Sequence, residues 1–570
     1  MAARRDSMTG GEAATLAALL ALGACLFVLP MGLLFRQALT GPEGASLAPL
    51  ADALGSRAVR AALVNSLDSA AVSAIAALCI GTALALAVAV SDIRAKGLLV
   101  FAILLPMMVP PHVTAIAWTQ TTGPTSPLLG VLGIAPAPGS PNPLYSRGGV
   151  IALLALQHTP LTFLLVLTGL RVLPREVVDA ARVAGAGPGR TLGRVILPLL
   201  APTLLAAGAL AFVAALGNFG IPALLGIPGR YTTLPVLIWQ RLASFGPGML
   251  PAIAVLSALM AAVALAAVAA QMALMRRAGT RLIGTAQAPL TFALGRARPW
   301  AEAALAAYVF AVLVLPLSAL TATALVPAFG VPLNVDTVTL DNFREVLVRQ
   351  QATLRAFGNS TLTAGGAGVA LAGLAVLAGY FVTARVRVAR RAGGAFATAA
   401  ELSYAVPGIV LSIAFILAFL RPLPVLGVSL YNTLWIIALA YLAAFAAIAL
   451  KPVLAAYAQL DPALDDAARV SGAGFGRRMG RIFAPLVAPA AASGAILVFL
   501  TAYNEITVSA LLWSTGNETI GTTIFNYENG GYTTIAAAMA VVTVAATAVL
   551  MGLLDRAGRW LPPGVIPWRM

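Results

Sequence analysis

Charge is what this chain has least of. Asp, Glu, Lys and Arg make up only 10% of its 570 residues, while 60% are hydrophobic. A soluble domain keeps about 25% charged residues to cover its surface, so this composition excludes a soluble chain. Lysine is almost missing: Lys96 follows Ala95 and Lys451 follows Leu450. A phosphate-binding P-loop needs Gly-Lys followed by Ser or Thr, so the sequence holds no such nucleotide motif. Histidine occurs twice, as His112 and His158. Together with scattered acids they do not form the constellation at one depth that a membrane enzyme needs. Each is expected to pack between helices, although either could line a pore. The two cysteines, Cys25 and Cys79, each sit inside an apolar run. They read as small packing residues, with no metal site or disulfide expected. The net charge is +16, but the basic residues fall between apolar runs and form no aromatic-interleaved patch. No nucleic-acid partner is expected.

What is present is a series of apolar runs of about 20 residues, the length a helix needs to cross the hydrocarbon of a bilayer. Backbone groups in lipid must bond within their own segment, so these runs are helices. The alternating pattern of a membrane barrel is absent. The expected fold is all-α and integral to the membrane, with twelve transmembrane helices. Six are expected at 13–35, 61–90, 97–118, 149–172, 196–217 and 250–275. Six more are expected at 301–326, 359–382, 396–420, 431–451, 486–512 and 532–554. Pro106, Pro110 and Pro111 interrupt the third and Pro407 the ninth. The first run is too long for a signal-peptide h-region and is expected to be retained. With twelve spans and the N-terminus inside, most of the 36 Lys and Arg residues fall in cytoplasmic loops. That asymmetry sets both termini in the cytoplasm.

The chain is also duplicated. Asp179-Ala180-Ala181-Arg182-Val183, Gly185-Ala186-Gly187, Gly189-Arg190, Gly193-Arg194, Pro198 and Pro202 recur as Asp466-Ala467-Ala468-Arg469-Val470, Gly472-Ala473-Gly474, Gly476-Arg477, Gly480-Arg481, Pro485 and Pro489. Every pair is offset by 287 positions, the separation of Asp179 from Asp466. The register continues into the next helix, where Phe212, Ala215 and Leu225 match Phe499, Ala502 and Leu512. Equivalent loops lie on the same side, so the repeat is parallel, about an axis along the membrane normal. The halves are expected at 1–280 and 301–570, joined by a basic linker at 281–300, with the repeated loops at about 173–198 and 460–485. Within each loop, Asp179 and Arg182 are three apart and expected to pair, as are Asp466 and Arg469. The alanines allow close approach of another surface, and the glycines break the helix. A loop of this kind, presented twice, suits a two-fold partner.

These loops resemble the EAA loop of ABC importer permeases, roughly Glu-Ala-Ala, three residues, Gly, nine residues, then Ile-x-Leu-Pro. The first copy reads Asp179-Ala180-Ala181, Gly185, Val195-Ile196-Leu197-Pro198. The second reads Asp466-Ala467-Ala468, Gly472, Ile482-Phe483-Ala484-Pro485. Both carry Asp where the pattern has Glu, and the spacing is intact. The resemblance implies a type I importer permease fold, a coupling helix in each loop, and docking on an ATP-binding cassette ATPase dimer. Docking would involve Asp179, Ala180, Ala181, Arg182 and Gly185 in one loop and Asp466, Ala467, Ala468, Arg469 and Gly472 in the other. ATP and Mg would be used by that partner, and this chain itself would bind no cofactor and catalyse nothing. A periplasmic or extracellular substrate-binding protein would deliver the cargo, and the site would be a bacterial inner membrane.

The fused two-half layout and the segment Leu216-Gly217-Asn218-Phe219-Gly220-Ile221-Pro222 are similar to ferric-iron-type permeases. That group also contains thiamine and phosphonate importers. Ferric iron is therefore the first expectation for cargo, with 2-aminoethylphosphonate or thiamine next. Intramembrane polar groups are costly and mark candidate path residues. These are Asn218 and Glu505, equivalent by the repeat, with Asn504, His112 and Glu401. The alternative at this level is an ion-coupled secondary transporter, which also uses two parallel halves but needs no docking loops.

Overall fold

A computed structural model describes residues 8–41, 44–137, 139–171, 173–242, 248–278, 292–422, 427–562 and 565–566. The remaining residues, including 281–291 of the expected linker, lie outside the described residues. Among the described residues, ten helices are long and apolar enough to cross a membrane, and two bent pairs, each taken as one span, bring the number to twelve. Spans one, two, four, five and six are Gly10–Ala38, Arg57–Ala89, Arg147–Arg171, Pro188–Leu216 and Met249–Leu274. Spans seven, eight, ten, eleven and twelve are Gly295–Ala324, Gln351–Val382, Leu434–Tyr457, Phe475–Tyr503 and Thr533–Ala557. The chain is thus an all-α membrane protein.

Several expected boundaries are corrected: spans five, eight and eleven begin at Pro188, Gln351 and Phe475 and not at 196, 359 and 486. Span eleven stops at Tyr503 and does not run to 512, because Asn504 and Glu505 open a turn. Span seven begins earlier than 301, since Gly295–Ala297 and Arg298–Val309 are already helical; the last residues assigned to the linker belong to it.

Spans three and nine are the bent pairs. Lys96–Met108 meets Pro111–Val131 at 101°, and Arg387–Ala405 meets Gly408–Phe419 at 112°. The cause is the same Val-Pro step in both. A residue before proline is pushed out of the helical region by the pyrrolidine ring. Val109 is extended at φ −83°, ψ 125°, and Val406 at φ −72°, ψ 101°. Pro110 and Pro407 then stand at the N-caps of the second arms, where a missing N–H costs no helical bond.

Each half has a packed nucleus of three spans, namely two, four and five, and eight, ten and eleven. Small residues let these helices approach, as dispersion is the main attraction between helices in lipid. A Cβ on Gly81 of span two would stand 2.7 Å from the Phe163 amide nitrogen of span four. One on Gly368 of span eight would stand 2.9 Å from the Ala495 carbonyl of span eleven.

The first span of each half leaves its own nucleus. Span one lies along both arms of bent span nine, and span seven lies along both arms of bent span three. The halves are therefore interlocked, and each bent span is backed by a helix from the other half.

Gly81→Leu should lower the melting temperature and monodisperse yield of the detergent-solubilised protein, since overpacking costs about 1–3 kcal/mol. Gly373→Leu, on span eight with nothing within 4 Å of its Cβ position, should leave both unchanged.

Candidate functional site

Both repeated loops fold into the same helix–turn–helix. Arg175–Val183 and Ala463–Val470 are short helices that end two residues before a glycine. Gly185 has φ 79° and Gly472 φ 74°, the left-handed region that glycine enters without Cβ strain. The Gly185 N–H donates to the Arg182 carbonyl (2.9 Å) and the Ala186 N–H to that of Ala181 (2.9 Å). In the second loop, Gly472 donates to Arg469 and Ala473 to Ala468, both at 3.0 Å. This is the Schellman ending that satisfies orphan carbonyls at a helix terminus. Gly187 and Gly474 then open Pro188–Thr191 and Phe475–Arg478, which run into spans five and eleven.

The helices present an apolar stripe. Val177, Ala180 and Val183 are exposed on one, and Leu464, Ala467 and Val470 on the other, in repeat-equivalent positions. Residues three apart share a helix face. Val183 is 90% exposed and Val470 81%, on helices whose other flank is packed by Val178 in one copy and Ala468 in the other. The sequence reading singled out the alanines and missed these four larger side chains. The i, i+3, i+6 spacing of apolar residues inside otherwise charged segments is the signal that identifies them.

The charges differ between copies. Asp179 pairs with Arg182 at 3.7 Å, and the Arg182 guanidinium lies 4.2 Å over the Phe292 ring. Asp466 does not pair with Arg469, contrary to expectation. Asp466 accepts from Arg385 at 2.6 Å, while Arg469 donates to Asp465 (2.8 Å) and to Glu12 of span one (2.6 Å). The cause is Asp465, which stands where the first copy has Val178. It offers Arg469 an i, i+4 partner on the inward face, beside the buried Glu12.

On the opposite face of the bundle, the segments after spans five and eleven turn back between the halves. Asn218 and Glu505 cap these turns. Asn218 Oδ1 accepts from the Ile221 N–H at 3.2 Å, and the Glu505 carboxylate accepts from Val508 (2.6 Å) and Ser509 (3.1 Å). Their position in the repeat is thereby explained by backbone satisfaction. Gly217 lies against Pro407 of the other half, where its Cβ would be 3.5 Å from the proline Cα. Its equivalent Asn504 donates to Thr547 at 3.2 Å. His112 is fully buried one step beyond the Pro110-Pro111 break, so close to Gly220 that a Cβ there would meet its amide nitrogen at 2.9 Å. Its ring nitrogens have no hydrogen-bond partner among the described residues. Glu401 is exposed on the first arm of span nine, away from this cluster.

Where the halves meet, three rings close on one another. Trp239 is carried by the helix Leu234–Leu242 and Phe525 by its repeat counterpart Ile520–Asn529. Their centroids are 5.7 Å apart in an edge contact, and Phe219 lies 5.9 Å from Trp239 and 5.4 Å from Phe525. Such contacts add about 0.5–1.5 kcal/mol beyond area burial. Each ring-bearing helix is held by an Asn-Ser latch. Asn65 Nδ2 donates to the Thr232 carbonyl (2.9 Å) and Ser66 Oγ accepts from the Leu234 N–H (2.7 Å). Asn359 donates to the Glu518 carbonyl and Ser360 accepts from Ile520, both at 3.0 Å. Burial pushes the Glu518 carboxyl up, but the Gly516 N–H and the Arg355 guanidinium hold it below its ordinary value.

A sequence model for a family described as binding-protein-dependent transport system inner membrane component matches this chain twice, over residues 77–279 and 375–567. The probable ABC transporter permease protein y4fN of Sinorhizobium fredii is 26% identical over 471 residues, 81% of either chain. The putative 2-aminoethylphosphonate transport system permease protein PhnU of Salmonella typhi is 30% identical over 226 residues, 39% of this chain and 78% of that one. A probable molybdenum ABC transporter permease protein of Haloferax volcanii is 29% identical over 221 residues, 39% of this chain and 76% of that one.

Gly185→Ala and Gly472→Ala should each destabilise their own loop by about 1 kcal/mol, because a Cβ is strained in the left-handed region. Hydrogen exchange should rise roughly fivefold in that loop and stay unchanged in the packed spans.

Proposed function

The chain belongs to the family of binding-protein-dependent transport system inner membrane components, and from that premise we propose that it moves a small solute inward by alternating access, driven by a separate ATPase. The family is one of transport permeases and not of enzymes, which sets aside the secondary-transporter and membrane-enzyme readings. The observation that carries the proposal is the docking helix built twice, with the same left-handed glycine and the same exposed apolar stripe. An ATPase dimer offers two equivalent grooves, and Val183 and Val470 would be their central anchors, flanked by Asp179 and Asp466. ATP and Mg would act on that partner, consistent with the lack of a Gly-Lys-Ser/Thr motif here.

The loop face carries the excess of Lys and Arg, which makes it cytoplasmic in an inner membrane, with both termini inside. The aromatic closure of Trp239, Phe525 and Phe219 then faces outward, where a loaded binding protein would meet it. Closure of the ATPase dimer would draw the docking helices together and tilt the interlocked spans. The rings, which meet across the halves in one edge contact and one tilted contact, would part. Asn218 and Glu505 would keep the turns intact while they move, a capping role in place of direct solute contact. For cargo, the relatives' names put 2-aminoethylphosphonate ahead of ferric iron and thiamine, and the pocket of the cognate binding protein is the place to read it.

Two measurements test this reading. Val183→Glu combined with Val470→Glu should cut copurification of the ATPase by at least about 10-fold, as loss of buried interface anchors costs more than about 1 kcal/mol each. An unchanged yield of complex would remove the docking assignment. Reversing charge at both Asp179 and Asp466 should leave the protein in the membrane and hydrolysis running while uptake is lost; normal uptake would count against the acidic contact.

A further inference from the structure

The two docking loops are anchored by different chemistry. Around the second loop, Glu12 is 2% exposed and Arg478 1%. Glu12 Oε1 accepts from Arg469 (2.6 Å), from the Tyr380 hydroxyl (2.8 Å) and from Arg478. Asp465 accepts from Arg469 Nε at 2.8 Å and from Arg478. Two acids and two guanidiniums balance, so the network is neutral as a whole, and it is costly to break because any one loss leaves a buried charge unpaired. It joins three elements: span one through Glu12, the end of span eight through Tyr380, and the docking loop with the start of span eleven. Glu12 is itself fixed at the helix start by a capping box with Thr9. The same side chains line a cavity of about 970 Å³. The loop and span one therefore meet at a charged wall.

Among the described residues the first loop shows no such network of buried acids and guanidiniums, and its Asp179–Arg182 pair lies at the surface. At the positions equivalent to Asp465 and Arg478 stand Val178 and Thr191, both fully buried, and Thr191 bonds within its own turn to the Gly187 carbonyl (3.1 Å). The acid of span seven, Glu302, accepts from the Arg94 N–H (2.9 Å) in the loop after span two and from Arg298, away from the docking helix. Past Glu12, span one continues to Gly23 and Phe27, which pack on Phe396 of bent span nine. The Phe27 and Phe396 rings are 5.5 Å apart, and a Cβ on Gly23 would stand 2.7 Å from the Phe396 ring.

We propose that Glu12 is a positioning residue that clamps the second docking loop to span one, so that movement of this loop alone is carried to the bend of span nine. This rests on the reading of the loops as docking elements. The drive on the bend of span nine is therefore one-sided: the second loop pulls this span through a rigid helix, while the first loop meets Phe292 through Arg182 and span seven through the apolar cluster around Val178.

The test uses the full permease with its ATPase subunits and binding protein in vesicles. Glu12→Gln should retain the ATPase and its hydrolysis but lose at least about 10-fold in solute moved per ATP, with Glu12→Asp restoring part of it. The double variant Glu12→Gln with Arg469→Gln leaves Arg478 paired with Asp465. It guards against simple misfolding and should show the same loss. A second measurement needs no ATPase. With Cys25 and Cys79 replaced by Ser, spin labels on Val28→Cys and Val470→Cys should give a broadened distance distribution once Glu12 is Gln. Labels on Phe310→Cys and Val183→Cys should not respond. An unchanged distribution in the first pair overturns the clamp whether or not the loops dock. A broadened distribution with wild-type transport per ATP overturns the one-sided drive. Failure of docking itself would show separately, as wild-type protein that retains no ATPase.

Discussion

Every span of this protein answers to one constraint: a backbone N–H or C=O in hydrocarbon must find its partner inside the protein, at a cost of several kcal/mol if it does not. Unbroken helices meet it without help. The places where the chain departs from a helix are therefore the places where side chains supply hydrogen bonds. Asn218 and Glu505 do so for the turns after spans five and eleven. Asn65 with Ser66, and Asn359 with Ser360, do so for the segments that follow. At Pro110 and Pro407 the ring removes a donor that would have needed a partner. Polar residues that look like a solute path are in large part the means by which a broken backbone survives in lipid.

The same constraint explains why the two halves could diverge in sequence and keep one architecture. The bends at Val109-Pro110 and Val406-Pro407 and the latches recur because both backbones break at equivalent places. Side chains that satisfy no backbone group were free to change. Asn218 became an acid at 505 without loss of the cap, since both offer an oxygen to the same amides. Val178 and Asp465 occupy one position in the fold with opposite chemistry, and each finds matching neighbours: apolar ones around the first loop, Arg469 and Arg478 around the second.

The halves are interlocked: span one leans on span nine and span seven on span three. Trp239 and Phe525, carried by counterpart helices of the two halves, meet edge-on where the halves join.

The sequence by itself determined the helical membrane fold, the count of up to twelve spans, the duplication and the two repeated loops. These follow from local facts: run length against bilayer thickness, proline before a bend, glycine where the helix must turn left-handed, and a register of 287 that holds without gaps. The docking stripe was within reach too, since i, i+3 spacing on one short helix is a local property. What only the tertiary structure decided is which side chains meet across the chain. Asp466 was expected to bond Arg469 three positions away, but Asp465 and a buried acid 457 positions away share that guanidinium. Glu12 reads in the sequence as an ordinary acid at a helix start, and Trp239 and Phe525 as ordinary apolar residues. Their roles come from the crossing of the halves, and no periodicity along one chain encodes which helix will lie against another once both are equally apolar.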